Sequence, residues 1–505
     1  MKEREEHAIK KIAKGSLIIF LGIFLSTAAF FLYRIIAARY LGPADYGLFT
    51  LGFTILNIAS IIALAGMHHS VGKFINHYLA GKEYHKAKGL IISSFAITLP
   101  LGILISILTY FSSGFLSNAI FGIMELRQII AIFAIGIPFS VASQLLKYYF
   151  YAFKTPQHAI ISESLFEKML SLVFLFIIIF FSSSVGLLSL TYILSLIISS
   201  VAAFFLFNPS LKKLLGKNIN ASYNLRKLAY FSFPLMITGL FGAAVAWTDT
   251  ILIGIFMSEA NVGLYNAAYV IASSLIIFWL SIGDIFYPII SELHSIRSKN
   301  SIKAVFEISS RWIFISTLPI IVIVLLFPTR LLSIFFGQAY LEAALPLAIL
   351  VIGYFFTTYF GLAEQGLRTH ERTSFLGIAT ISAFILNVAM AVILIPLYGI
   401  TGAAIATTTT LLAVNSIKYM TYKKILKFGY DKKLYAKYIA SCLISAILFY
   451  VFRIFGLTNT PHFLLSVFIY FAFYIALIFL FGGLSKEDKS IIEAIKRKIG
   501  IANKL

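Results

Sequence analysis

GSLIIFLGIFLSTAAFFLYRIIA, residues 15–37, holds one charge, Arg34, in 23 positions. About 20 apolar residues cross the roughly 30 Å hydrocarbon core of a bilayer, so this stretch predicts a transmembrane helix. It exceeds the apolar core of a signal peptide, about 7 to 15 residues. Arg39 follows where a small-residue cleavage site would stand, so the helix is expected to stay in the chain. Outward from it come thirteen further runs bounded by charge or turn residues, at 46–66, 89–111, 129–151, 158–181, 185–207, 231–256, 263–289, 312–328, 341–363, 373–396, 399–417, 434–455 and 462–481. The expectation is an all-α integral membrane protein with about fourteen transmembrane helices. Composition agrees, with 60% hydrophobic and 12% charged residues among 505, where a soluble domain has about 25% charged. Little chain is left for a water-soluble catalytic module. The single cysteine, Cys442, excludes an intrachain disulfide and a cysteine-rich metal site.

Forty-one Lys and Arg against 20 Asp and Glu give a net charge of +21. In a soluble protein that balance would suggest nucleic acid, but in a membrane protein loops rich in Lys and Arg stay on the cytoplasmic side. Thirty-three of these residues fall in the two termini and in alternate loops, whereas Arg39, Arg127 and Arg330 are the three on the opposite side. Both termini are therefore expected in the cytoplasm, in the plasma membrane, with the basic loops against anionic membrane lipids and no nucleic acid partner. In the tail, Ser485 and Asp488 form a capping-box pattern before Ile491, Ile492, Ile495 and Ile499. That pattern predicts an interfacial amphipathic helix, with a solvated tail as the alternative.

Four landmarks recur at nearly one spacing. Tyr46-Gly47-Leu48-Phe49 answers to Val262-Gly263-Leu264-Tyr265 at an offset of 216, Phe121-Gly122 to Phe336-Gly337 at 215, Lys154-Thr155 to Arg368-Thr369 at 214, and Gly186 to Gly399 at 213. Such internal repeats build many transporter folds. The expected organisation is a cytoplasmic N-terminus (1–14), a six-helix half (15–207), a basic linker (208–230) and a second six-helix half (231–417). A basic loop (418–433), helices 13 and 14 (434–482) and a cytoplasmic amphipathic tail (483–505) complete it. Six helices per half is an even number, so the halves share one topology around a central cavity, and alternating access would come from rocking one against the other.

RYLGPADYGLF at 39–49, WTDTILIGIFMSEANVGLYNAAY at 247–269 and LNVAMAVILIPLYGITGAAIAT at 386–407 resemble the polysaccharide transporter family. This is the group of lipid-linked oligosaccharide and O-antigen flippases, in the superfamily that also holds multidrug and toxic-compound extrusion transporters and lipid II flippases. The resemblance covers essentially the whole chain. It implies movement of a polyprenyl-phosphate- or diphosphate-linked oligosaccharide across the cytoplasmic membrane, alongside other polysaccharide-assembly membrane proteins.

Ionisable residues inside a bilayer are costly, which makes them candidates for function. Arg34 and Asp249 occupy nearly equivalent points of the first and seventh runs, because subtracting 216 from 249 gives 33. If those helices face each other across the cavity, as in the family, the two charges would form a latch that parts when the outer side opens. Alternatively, Arg34 reaches the outer interface and Asp249 hydrogen-bonds within its own half. Glu163 and Glu167 share a helix face beside Lys168. Lys147 lies near the same level. Lys147, Lys168 and Arg34 are the cations that would meet an incoming phosphate, and Asp249, Glu163 and Glu167 are the carboxylates that would serve Na⁺ or H⁺ coupling. The alternative for Lys168 is a cluster with Glu163 that only lowers the cost of burial. No resident cofactor is called for. No GxxxxGK[ST] phosphate loop occurs, and His68, His69, His77 and His85 lack the spacing of a zinc site, so they read as loop residues. The competing functions are a cation-coupled multidrug antiporter and a membrane polysaccharide polymerase or ligase. The second lacks its customary long outer loop, because the longest here is 112–128.

Overall fold

The computed structural model describes residues 2–153, 155–160, 165–181, 184–215, 220–429, 431–454, 460–483 and 488. The helices run in the order α1 (Lys2–Leu64), α2 (Met67–Ala80), α3 (Tyr84–Phe115), α4 (Leu126–Ala152), α5 (Pro156–Ala159), α6 (Glu167–Ile179), α7 (Val185–Leu215) and α8 (Leu225–Phe256). They continue with α9 (Glu259–Ser273), α10 (Ile276–Ser295), α11 (Lys299–Leu326), α12 (Pro328–Phe335), α13 (Ala344–Thr369), α14 (Thr373–Leu426), α15 (Lys432–Ile454) and α16 (Thr460–Leu480). Hydrocarbon offers no partner to a backbone N–H or C=O, and a helix satisfies both internally. Large apolar side chains face outward, among them Phe111, Phe180 and Phe468 at 80%, 84% and 71% exposure. Such a surface suits lipid and would aggregate in water.

Among the described residues, eleven helices are long and apolar enough to cross a membrane. The difference from fourteen runs has local causes. Two of the eleven, Phe24–Leu64 and Thr373–Leu426, have 41 and 54 residues, or about 60 and 80 Å at 1.5 Å per residue, twice a bilayer core or more. Each contains a glycine off the helical path, Gly42 at φ 79°, ψ 172° and Gly399 at φ 59°, ψ −141°. Glycine takes these positive φ values without the Cβ clash that other residues meet. Pro43 follows the first break and Pro396 precedes the second. The run at 158–181 crosses 161–164, outside the described residues.

The helices group into two compact units. The first comprises residues 1–270, 335–343 and 380–406. Its centre is aromatic, with Phe49 at 5.5 Å from Phe133 and 5.9 Å from Tyr192, ring centroid to centroid. In this unit the segments at 43–47 and 259–263 cross at very short range. A Cβ added at Gly47 would lie 1.8 Å from the carbonyl oxygen of Glu259, and one at Gly263 would lie 1.9 Å from that of Pro43. The contact is reciprocal, since 43 and 47 are each 216 positions from 259 and 263.

The second unit comprises residues 271–334, 344–379 and 407–505. Phe306, Tyr419, Tyr422 and Phe428 form its buried aromatic core. Pro319 within α11 has no N–H for the carbonyl of Ile315 four residues earlier. Tyr474 of α16 donates its hydroxyl to that oxygen at 3.1 Å, so a neighbouring helix supplies the missing bond. Asp488 is fully buried and accepts hydrogen bonds from Arg311 at 2.7 Å and from the Trp312 indole at 3.1 Å. The remainder of the expected tail helix, from 489 onward, lies outside the described residues.

The short turns repeat as well. Lys82 N–H donates to Leu79 O and Arg297 N–H to His294 O, Glu83 to Tyr78 and Ser298 to Leu293, all 215 positions apart. Lys82 and Arg297 share a positive φ, 56° and 57°. At an offset of 217, Phe153 N–H donates to Tyr149 O as His370 does to Gly366 O, and Thr155 to Phe150 O as Arg372 does to Leu367 O.

Candidate functional site

Glu167 and Lys168 open α6, and the charges of both lie inside the first unit. Lys168 Nζ donates to Glu167 Oε1 and stands 4.6 Å from the centroid of Phe30 and 5.7 Å from that of Tyr192. Aromatic faces carry negative potential, so the ammonium is held by a carboxylate and two rings. The Tyr192 hydroxyl donates to the same Glu167 oxygen at 3.4 Å. Lys168 and Glu167 both border a cavity of about 180 Å³ whose other polar lining comes from Asn57, Ser140, Ser143, Gln144 and Tyr192. At about 30 Å³ per water, that space suits a phosphate-sized group and is too small for a lipid-linked oligosaccharide.

Arg34 is buried on α1. Its Nε donates to Tyr46 Oη at 2.9 Å and its Nη2 to Asn266 Oδ1 at 3.4 Å. Asn266 of α9 passes the network on, donating to Val262 O at 3.0 Å and to Thr250 Oγ1 of α8 at 3.3 Å. Beside Thr250, Asp249 is also buried, with the Tyr265 hydroxyl donating to its Oδ2 and Asn387 Nδ2 of α14 to its Oδ1 at 3.4 Å. Four helices thus meet at this polar seam. Arg34 and Asp249 belong to it without an ion pair between them; Arg34 is held by neutral partners instead.

Lys147 lies on α4, within electrostatic reach of His68. Burial first, then His69 and Lys147, push His68 down to about 3. The His68 and His69 rings are 4.1 Å apart and both pack on Tyr148. Glu163 lies outside the described residues, and the partner of Lys168 within them is Glu167. Sequence reasoning missed Tyr46, Tyr192, Asn266 and Asn387, because it weighed only side chains charged at neutral pH. Asparagine within an apolar run was the available signal for the last two. No group of three or more His, Cys, Asp or Glu that could hold a metal occurs among the described residues.

Helices this long and apolar, with large apolar side chains facing outward, make the chain a multi-pass membrane protein. The family described as polysaccharide biosynthesis protein matches residues 12–294, and the chain belongs to it. Agl15 of Haloferax volcanii, a probable low-salt glycan biosynthesis flippase, is 25% identical over 244 residues, 48% of this chain and 49% of that protein. The chain thus matches about half the length of that relative. A putative O-antigen transporter of Shigella flexneri is 22% identical over 379 residues, 73% of this chain and 87% of that protein. Among solved structures, the lipid II flippase MurJ in an inward closed conformation has a TM-score of 0.70 at 16% identity, over 92% of this chain and 98% of that one. An inward-facing multidrug resistance MATE family transporter of the MOP superfamily gives 0.63 at 16% identity, over 81% and 98%. At these identities the two structures establish the fold. The Haloferax and Shigella relatives carry the names of a flippase and a transporter.

Proposed function

We propose that the chain is a flippase that moves a polyprenyl-phosphate- or polyprenyl-diphosphate-linked oligosaccharide across the cytoplasmic membrane by alternating access, in cell-surface polysaccharide or glycan biosynthesis. The observation that carries this reading is Lys168, a cation facing a phosphate-sized polar cavity inside a membrane-embedded unit. An anionic headgroup would draw the Lys168 ammonium away from its Glu167 partner and take its place. The names of the Haloferax and Shigella relatives support the same class of cargo. In this reading Lys168 and Lys147 receive the phosphate. Arg34 and Asp249 gate or couple through the seam of Asn266, Thr250 and Tyr265, and Na⁺ or H⁺ is the coupling ion.

The proposed architecture has fourteen crossings in two six-helix halves plus a C-terminal pair, both termini being cytoplasmic. The breaks at Gly42 and Gly399 and the recurring turn geometry support it. The test is reconstitution into liposomes with a fluorescent lipid-linked oligosaccharide, with and without Na⁺ or H⁺ gradients. Movement of the lipid-linked sugar is expected. Transport of soluble cationic dyes in its place would replace this reading by the multidrug antiporter.

A further inference from the structure

In the second unit two short turns come together, 296–298 between α10 and α11 and 370–372 between α13 and α14. The His294 and His370 rings are 4.7 Å apart in a T-shaped contact. His370 Nδ1 faces the Gly366 carbonyl oxygen at 2.9 Å, which makes that nitrogen the donor and leaves the other free of this bond. Burial, and after it the charges of His294, Lys299 and Arg372, hold His370 below its ordinary range against the Gly366 hydrogen bond. Lys299 and Arg372 are exposed, and the two histidines are half-buried. Among the described residues neither Lys299 nor Arg372 forms an ion pair, and exposed Glu371 pairs with none of the four. Lys299 and Arg372 also stand at the starts of α11 and α14, where the helix dipole adds positive potential.

The first unit supplies an internal comparison. Its turns are closed by the same backbone hydrogen bonds, yet the positions equivalent to His294, Lys299, His370 and Arg372 are Leu79, Tyr84, Phe153 and Thr155. The fold therefore does not require the four basic groups.

We propose that His294, Lys299, His370 and Arg372 form a binding site for a phosphate-bearing anion at the membrane surface, occupied by the headgroup of an anionic phospholipid. Both turns join membrane-spanning helices, Glu259–Ser295 to Lys299–Leu326 and Gln338–Thr369 to Thr373–Leu426. That is the level at which lipid phosphates lie, and basic pockets between helix ends are suited to them. The site is distinct from the Lys168 cavity, and it does not rest on the flippase reading.

The full chain, purified in a neutral detergent, would be examined by native mass spectrometry with phosphatidylglycerol, with phosphatidylcholine and with inorganic phosphate. Wild type should retain phosphatidylglycerol at least about fivefold over phosphatidylcholine. Lys299→Gln with Arg372→Gln should abolish that preference, and adding His294→Gln with His370→Gln should not restore it. Lys82→Gln, in the equivalent turn of the first unit, should leave it unchanged. Inorganic phosphate displacing phosphatidylglycerol at equal concentration would assign the site to a soluble phosphate and overturn the lipid. An unchanged lipid preference in the fourfold variant would overturn the site, and melting curves for every variant separate that result from misfolding.

Discussion

Lys168 and Glu167 set opposite charges at adjacent positions of one helix start, deep enough that neither is indifferent to the other. Lys168→Ala would leave the buried carboxylate uncompensated, at a cost of about 3 kcal/mol in stability. Glu167→Gln with Lys168→Met removes both charges and should recover most of that loss. If the ammonium serves the phosphate, transport by the double variant stays low although its melting temperature returns; recovery of both would reduce the pair to packing. Tyr46→Phe tests the seam in the same way, because it strips a buried guanidinium of its 2.9 Å partner and should cost about 2 kcal/mol in wild type but far less in an Arg34→Ala background. The candidates Arg34, Lys168 and Asp249 were legible because charge inside an apolar run is conspicuous. Their partners were less so. Asn266 is 232 positions from Arg34, and Asn387 is 138 from Asp249; only tertiary packing joins them.

Helices were the most readable level of this chain, since lipid forces every crossing to be long, apolar and hydrogen-bonded within itself. Gly42-Pro43 and the glycine at 399 announced their breaks. The turn at 274–275, which separates α9 from α10, falls inside the run 263–289 and had only two serines to betray it. Two substitutions measure what holds the elements together. Gly47→Ala and Gly263→Ala each thrust a methyl into a backbone carbonyl less than 2 Å away, and each should lower the melting temperature as overpacking of about 1 to 3 kcal/mol does. Equal stability of both alanine variants would show that the crossing is looser than its geometry. Tyr474→Phe should cost about 1 to 2 kcal/mol by leaving the Ile315 oxygen, four residues before Pro319, without a donor.

For the molecule as a whole, composition alone announced the membrane, and the positive charge predicts its orientation. Single cysteines placed in a Cys442→Ser background should make that orientation visible. In intact cells, sites at 212–227 should be shielded from an impermeant thiol reagent and sites at 112–128 should react, because 33 of the Lys and Arg residues lie with the first loop and three with the second. The opposite labelling pattern would invert the proposed topology. Neither the grouping of helices into compact units nor the buried seat of Asp488 against Arg311 and Trp312 was foreseeable from composition. Both depend on which faces pack, and apolar periodicity cannot separate a lipid-facing side from a protein-facing one when both are Leu, Ile and Phe.

The reciprocal crossing of 43–47 with 259–263 has an evolutionary reading. Contacts in which each side offers the same surface to the other are what two identical subunits make across a two-fold axis. Under the proposed two-half architecture the crossing joins two copies of one segment, which need not lie on one polypeptide. Joining the copies fixes their ratio at one to one and then lets each drift under its own selection. Pro43 now faces Gly263 where Glu259 faces Gly47, and His294, Lys299, His370 and Arg372 of one unit answer to Leu79, Tyr84, Phe153 and Thr155 in the other. Covalent linkage thus gives this chain an asymmetry that a homodimer, bound to change both subunits at once, cannot acquire.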